Sequence, residues 1–445
     1  FYIACREGHI EIVKLLLNDE RVHVNKGENT FDVTPFSITC WKEHFEIVKL
    51  LLSDERVDVN KGENIFDMTP LYIACRRGQI EIVKLLLNNQ RVEINKEEND
   101  GQTPFYVACN YDQIEIVKEL LNDERVNTNQ SSHGWTPFYI ACCNGYIEIV
   151  KLLLNDQRVD INKADQFDTT PFYIACQKGH IEIVKLLLND KRVDINKAIN
   201  DSSTPFYIAC QEGKIEIVKL LLKDERIDIN KATNDGTTPF LIACCQGHID
   251  IVELLLSDER IDANQANING VTSFWMACGK GHIEIVKLLL NDKRVDINKA
   301  TYDGITPLYV TSFCEHIEIG KLLLNDQRID INKADNHRST PFYIACQNGR
   351  AKIVKLLLND ERVDINKANE ETQTPLDVAC QEDHIEIVKY LFASGRQIIL
   401  PPKNQYEKEE KPEITNLLES FENNPNEIRI KLRIELGFDG NNYYF

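Results

Sequence analysis

Apolar positions along this chain fall into one recurring pattern, seen most cleanly in Thr170–Ala198. Ile181, Val184, Leu187 and Leu188 stand at i, i+3, i+6 and i+7, the spacing of one helix face. Ile183 and Leu186 widen that face, as a helix with neighbours on two sides requires. Glu182 falls in the first turn, where the positive end of the helix dipole favours it. A shorter helix is predicted over Phe172–Lys178. Thr170 can accept a backbone N–H as its cap, Pro171 pre-sets φ at the first helical position, and Gly179 ends the helix in a left-handed conformation. Asn189 and Asp190 are expected to end the second helix, since both tolerate the left-handed region better than other non-glycine residues. The loop Val193–Ala198 then leads to an exposed turn, clearest as Asn234-Asp235-Gly236 and Tyr302-Asp303-Gly304.

The Thr-Pro step sets the register. It begins at Thr34, Thr69, Thr103, Thr136, Thr170, Thr204, Thr238, Thr272, Thr306, Thr340 and Thr374, at spacings of 35, 34, 33 and then 34, with Ser273 replacing proline once. A partial copy at residues 1–33 brings the number of repeats to twelve. No single copy has enough apolar surface to fold alone, so a period near 34 predicts a stacked solenoid rather than two or three globular domains. The chain starts at Phe1, in mid-repeat and without Met, and the expectation is that its first copy is truncated.

Two regions depart from the pattern. The copy beginning at Thr306 has Thr311 and Ser312 for the small apolar pair, Glu315 for the glycine and Gly320 for the helix valine. The missing valine forfeits about 1–3 kcal/mol of packing, and an interior glycine costs a further 0.5–1 kcal/mol or so. Residues 306–339 are therefore expected to be a weak joint. From residue 394 the repeat stops. Pro401-Pro402 and the charged stretch after it read as a linker over 394–411. Residues 412–445 read as a short helical tail, parts of which the composition lets stay disordered. In it Ile414, Leu417, Leu418 and Phe421 mark an amphipathic helix. Ile428, Ile430, Leu432, Ile434 and Leu436 alternate as a strand would, while Pro425 and Gly437 suit helix punctuation, and a helix is the reading taken.

Composition narrows the functional classes. The formal net charge is −19, and about −17 of it belongs to the repeats, because 394–445 holds nine acidic and seven basic side chains. Negative charge spread this way repels phosphate backbones and anionic lipid, which argues against nucleic acid and membrane surfaces and favours basic partners. No apolar run reaches the 18–20 or so residues of a membrane-spanning helix. Of 14 cysteines, eleven (Cys5, Cys40, Cys75, Cys109, Cys142, Cys176, Cys210, Cys244, Cys278, Cys346 and Cys380) hold one repeat position. Stacked helices lie about 8–10 Å apart, and a disulfide needs Cα atoms within about 7 Å. These cysteines are read as small buried hydrophobes of a reducing, cytoplasmic protein.

The repeat resembles the ankyrin repeat over about 390 residues. The family pattern of Thr-Pro-Leu-His, Ala-Ala, Gly-His, an apolar helix and Asp-Val-Asn is met by Thr170-Pro171-Phe172-Tyr173, Ala175-Cys176, Gly179-His180, Ile181–Leu188 and Asp194-Ile195-Asn196. Tyrosine usually stands where the family has histidine after Thr-Pro, and the loop after the second helix is one residue longer and lacks the family's glycine. The resemblance implies an all-α ankyrin-repeat solenoid over 1–393, built of stacked helix-turn-helix units with projecting β-turn fingers. It also implies a concave face that grips other proteins.

No enzyme signature emerges beside it. Cys-x-x-x-His recurs, as at Cys176/His180 and Cys278/His282, and suggests a thiol with its base or a metal ligand pair. A glycine turn separates the two, however, and Gln79, Gln113, Tyr146, Lys214 and Arg350 replace the histidine elsewhere, so we read these as structural histidines bonding to backbone. The recurring carboxylates, such as Asp156 and Asp160, are read as helix caps and backbone acceptors. No catalytic, cofactor-binding or metal-ligating residue is assigned, no cofactor is implied, and a monomer is expected.

Whatever repeats is scaffold, so function is expected where copies differ. In the ankyrin pattern the variable positions are the finger tip before Thr-Pro and the last residues of the first helix. These are Phe31, Trp41, Phe66, Arg76, Arg77, Tyr111, Trp135, Phe167, Tyr302, Phe313 and Arg338, aromatic and arginine types that dominate binding hot spots. Trp41, Phe66, Tyr111 and Trp135 fall in consecutive copies and are expected to line one groove, the competing reading being local packing against the next finger. The expected function is a non-catalytic scaffold or adaptor for partner proteins. The alternative is a substrate-recruiting adaptor subunit of a ligase or kinase complex, docked through the tail.

Overall fold

A computed structural model describes residues 1–28, 32–62, 66–402 and 411–437. Among them are 26 helices and no β-strand, apart from isolated bridges at Glu28–Val33 and Ser132–Trp135. The chain divides into two compact units, Phe1–Asp228 and Ile229–Phe445. The first is a stack of seven helix pairs, from Tyr2–Arg6 with Ile10–Leu17 to Pro205–Gln211 with Ile215–Leu222. The second holds five pairs, from Pro239–Gln246 with Ile249–Leu256 to Pro375–Gln381 with Ile385–Ala393, and then the tail. Within each unit first helices pack on first helices and second on second, which is the solenoid arrangement.

Local chemistry sets each pair. Thr170 Oγ1 accepts the backbone N–H of Tyr173 at 3.2 Å, and Thr272 caps Trp275 in the same way although Ser273 replaces proline. Gly179 closes the first helix at φ 88°. The same turn in an earlier copy shows a second reason for glycine: a Cβ on Gly145 would lie 2.7 Å from the His180 ring of the following copy. His180 Nε2 in turn bonds to the Cys143 carbonyl at 2.9 Å, and His44 and His384 bond to the carbonyls of Arg6 and Gln347. These histidines therefore tie one copy to the previous one and do not serve a neighbouring thiol. Where histidine is replaced, Gln79 and Arg350 donate to the equivalent carbonyls of Trp41 and Phe313.

The end of the second helix differs from expectation. Asn189 is its last residue, and Asp190 is extended at φ −91°, not left-handed. The reason is a local bond: the Asp190 carboxylate accepts both the backbone N–H and the guanidinium of Arg192. Arg192 Nη2 then donates to the Leu154 carbonyl at 2.8 Å, covering an otherwise unpartnered helix end in the preceding copy. Asn162 forms the complementary link, donating to the Arg192 carbonyl at 2.7 Å and accepting from the Asp194 N–H at 2.9 Å. Equivalent asparagines, such as Asn25, Asn60, Asn298 and Asn332, repeat this two-bond bridge.

The core lies between the two helix layers, with Ala175, Cys176, Ile183, Val184 and Leu187 fully buried. All 14 cysteines are free thiols, and eleven are buried. The tyrosines that replace the family's histidine point their hydroxyls at the next finger: Tyr72 donates to Gln102 Oε1 at 3.2 Å and Tyr309 to Asp335 Oδ2 at 3.1 Å.

The copy at Thr306 keeps both helices, Pro307–Cys314 and Ile317–Asn325. Thr311 and Ser312 are buried and return their hydroxyls to the Pro307 and Leu308 carbonyls at 2.8 Å. Side chains of the next copy fill the space the valine would take, since a Cβ on Gly320 would lie 2.8 Å from Ile353 Cδ1 and 3.1 Å from Leu356 Cδ2.

Tail helices Pro412–Asn423 and Pro425–Glu435 pack on the last pair. Phe421 stacks on Phe392 with ring centres 3.9 Å apart, Lys389 pairs with Glu435 at 2.8 Å, and Ile414, Leu418 and Leu432 are buried. Lys411 donates to the carbonyls of Cys380 and Gln381, the place a histidine takes between copies.

Candidate functional site

The first helix of each pair ends in two or three residues that the stack does not enclose. In the copies beginning at Thr34, Thr69 and Thr103 these ends carry Trp41, then Arg76 and Arg77, then Tyr111. The stack sets the neighbouring ends side by side, so rings and guanidinium groups meet across copies. Arg77 lies over the Trp41 ring at 4.8 Å, and Arg76 lies over the Tyr111 ring at 5.2 Å. Adjacent in sequence, the two arginines thus reach in opposite directions along the stack. Arg76 also touches Met68 Sδ at 3.8 Å, which joins the cluster to the base of its own finger, two residues from Phe66. Trp41 and Tyr111 remain 41% and 44% exposed, so the cluster is a surface and not a core.

Its electrostatics differ from those of most loop arginines. Arg56, Arg125, Arg158 and Arg192 each pair with an aspartate two residues earlier at 2.6 Å, and this pattern recurs to Arg362. The arginine side-chain bonds hold Asp54, Asp123, Asp156 and Asp190 below the ordinary carboxylate range. Among the described residues Arg76 and Arg77 have no such carboxylate. Their charge faces an aromatic ring, and Arg76 Nη1 also meets Met68 Sδ.

The remaining members of the expected set are placed differently. Phe31 lies outside the described residues. Trp135 stands in the finger before the cap Thr136, stacked on its own Tyr139 at 6.1 Å, with its indole N–H 3.3 Å from Asp165 in the next finger. Phe66, Phe167 and Tyr302 are exposed finger residues. Phe66 and Tyr302 also join finger to finger by backbone, the Phe66 carbonyl accepting from Asn99 and the Tyr302 N–H donating to Asn269. Phe313 is exposed near the end of Pro307–Cys314, and its carbonyl accepts from Arg350. Arg338 occupies a left-handed finger position at φ 64°, where Gly236, Gly270 and Gly304 stand in other copies. Direct contacts therefore unite Trp41, Arg76, Arg77 and Tyr111, while Trp135 makes a separate contact with Tyr139 and Asp165. Sequence reasoning missed Met68, Tyr139 and Asp165. Met68 had a signal, as one of only two methionines in the chain.

The buried thiols among the described residues are held in their neutral form. Burial pushes the Cys5 thiol up to about 11 and raises the thiols of Cys176, Cys210 and Cys244 further. Among the described residues no group of three histidine, cysteine or acidic side chains is arranged to hold a metal ion, and no helix is long and apolar enough to cross a membrane.

The family model for ankyrin repeats (three copies) matches residues 1–97, 36–130, 90–165, 111–201, 153–233, 172–267, 259–335 and 328–400. No curated protein matches the chain. Ankyrin repeats are generally protein–protein interaction modules and typically non-catalytic. On matches that span almost the whole stack, the chain belongs to the ankyrin-repeat family.

Proposed function

We propose that this protein is a non-catalytic scaffold that holds a partner protein against the face made by its first-helix ends and fingers, the concave face in the family pattern. The observation that carries the reading is the run Trp41–Arg77–Arg76–Tyr111, a continuous exposed surface of hot-spot residue types across three copies. Trp135, with its separate contact to Tyr139 and Asp165 one copy further on, is taken as a second contact point for the same partner. The negative charge of the repeats favours a partner of basic character over most of its length and disfavours nucleic acid and lipid. A reducing, cytoplasmic location fits the free thiols. Affinity purification with mass spectrometry identifies the partner, and titration of that partner tests the groove. Trp41→Ala and Trp135→Ala should each weaken binding about tenfold or more. Unchanged affinity in both variants sinks the proposal.

One observation favours a second reading, an adaptor docked to a ligase or kinase through the tail. Ile430 and Ile434 stand at i, i+4 on Pro425–Glu435, and both are exposed although the helix itself is anchored. Replacing both by aspartate should remove a co-purifying enzyme on this reading and leave the partner set unchanged on the first.

A further inference from the structure

Resting on that groove reading, we infer that the Arg76–Arg77 cluster binds an acidic side chain of an extended protein segment. The cluster would thus be an oxyanion subsite within a face otherwise suited to basic sequence. Three observations converge. Both arginines are exposed, and among the described residues neither has a carboxylate, whereas loop arginines such as Arg125, Arg158 and Arg192 are each held by one. Each guanidinium carbon lies over a ring of a neighbouring copy, at 4.8 Å and 5.2 Å, which restricts the side chain before a ligand arrives. A guanidinium stacked by its face still offers its N–H edge, the fork that matches the two oxygens of a carboxylate or phosphate. Lys42, next to Trp41, acts on Glu7, which is also paired with Arg6 at 2.8 Å, while Glu43 and Asp112 follow Lys42 and Tyr111 at the same helix ends. Two ring-backed guanidinium groups on adjacent residues, one turned toward each neighbouring copy, therefore set two positive charges on a chain of net charge −19.

Arginine with aromatic faces also suits single-stranded nucleic acid. That partner tracks its backbone over many nucleotides, and the acidic repeats on both sides of the cluster repel it. A single acidic side chain needs only the local site.

The test uses the full chain with Trp135→Phe and Trp275→Phe, so that Trp41 is the one indole reporter. The probes are a hexapeptide with a central glutamate pair, its phosphoserine counterpart, its glutamine counterpart, and an oligothymidylate of similar length. The expected result is quenching of Trp41 by the glutamate peptide, the phosphoserine peptide or both, with the glutamine peptide at least about tenfold weaker. The stronger of the first two names the source of the oxyanion. Arg77→Gln and Arg76→Gln should each cost about tenfold, and Arg77→Lys should recover only part of the loss, because it keeps the charge and loses the fork. Both positions are exposed helix ends, so circular dichroism should show each variant folded. Equal binding of the glutamate and glutamine peptides, indifference to both arginine substitutions, or preference for the oligothymidylate would overturn the inference. If the acidic peptides fail while Trp41→Ala still weakens the purified partner, this subsite is wrong and the groove stands. If Trp41→Ala and Trp135→Ala leave that partner unaffected, the groove itself is wrong.

Discussion

At the scale of single residues, the stack is held by bonds that link neighbouring copies through their backbones. Asn162 is a representative case, with one bond to the Arg192 carbonyl and one from the Asp194 N–H. Asn162→Ala frees both groups to water at the surface, so the expected loss is about 1 kcal/mol and not the cost of a buried orphan. Urea unfolding checks it. The aspartates beside the loop arginines give a pH dependence. Asp123, Asp156 and Asp190 are held below their ordinary value of 3.8, chiefly by the arginine side-chain bond. A carboxylate depressed in the folded state contributes stability above its unfolded value and loses it as pH falls through the folded value. The thermal midpoint should therefore be level down to about pH 4 and fall steadily below it; a midpoint level down to about pH 2 would contradict the assignment. Bonds of this kind were not legible in sequence, since Asn162 and Arg192 are thirty positions apart and only the fold joins them. Asp190 was misread for a related reason: its tolerance of a left-handed backbone was visible, while the arginine that holds it extended acts through its side chain. The threonine caps, each acting within three residues, were fully legible.

At the scale of elements, the copy beginning at Thr306 tests how far a repeat bends its rules. Its polar pair is satisfied within the helix, and Ile353 and Leu356 occupy part of the place a valine would take. The glycine still loosens the helix backbone. Amides of 306–339 are expected to exchange faster than those of 204–237, and equal protection would refute a weak joint. Gly320→Val should restore the pattern once Ile353 turns its terminal methyl aside, a gain of about 1 kcal/mol after the repacking cost. The tail shows where element-level reading thins out. Ile428, Ile430, Leu432, Ile434 and Leu436 alternate as a strand would, and residues 425–435 form the helix expected from Pro425 and Gly437, with Leu432 alone of these five buried. The contact between Phe421 and Phe392 had no sequence signal at all, since nothing in a twelve-residue helix names the ring it will meet.

At the scale of the molecule, regularity and function separate. Thr-Pro, Ala-Cys, Gly-His and the apolar helix made the repeat legible, and because every copy shares them they cannot distinguish one surface from another. The ends of the first helices carry the difference, and the geometry shows which of them touch. Trp41 and Arg77 are joined across copies, as are Arg76 and Tyr111, whereas Phe167, Tyr302 and Arg338 stand on separate fingers. That partition required coordinates, because a cation over a ring 35 or 36 positions away leaves no mark on either residue. The central claim is that departures bind and the repeat only supports them. Its most direct test is to titrate the purified partner against equivalent positions in different copies. Trp41→Ala and Tyr111→Ala should each weaken binding about tenfold or more, while Lys178→Ala and Glu212→Ala, at the matching helix ends of conforming copies, should change it less than about twofold. Equal losses at all four positions, or losses only at Lys178 and Glu212, would contradict the account.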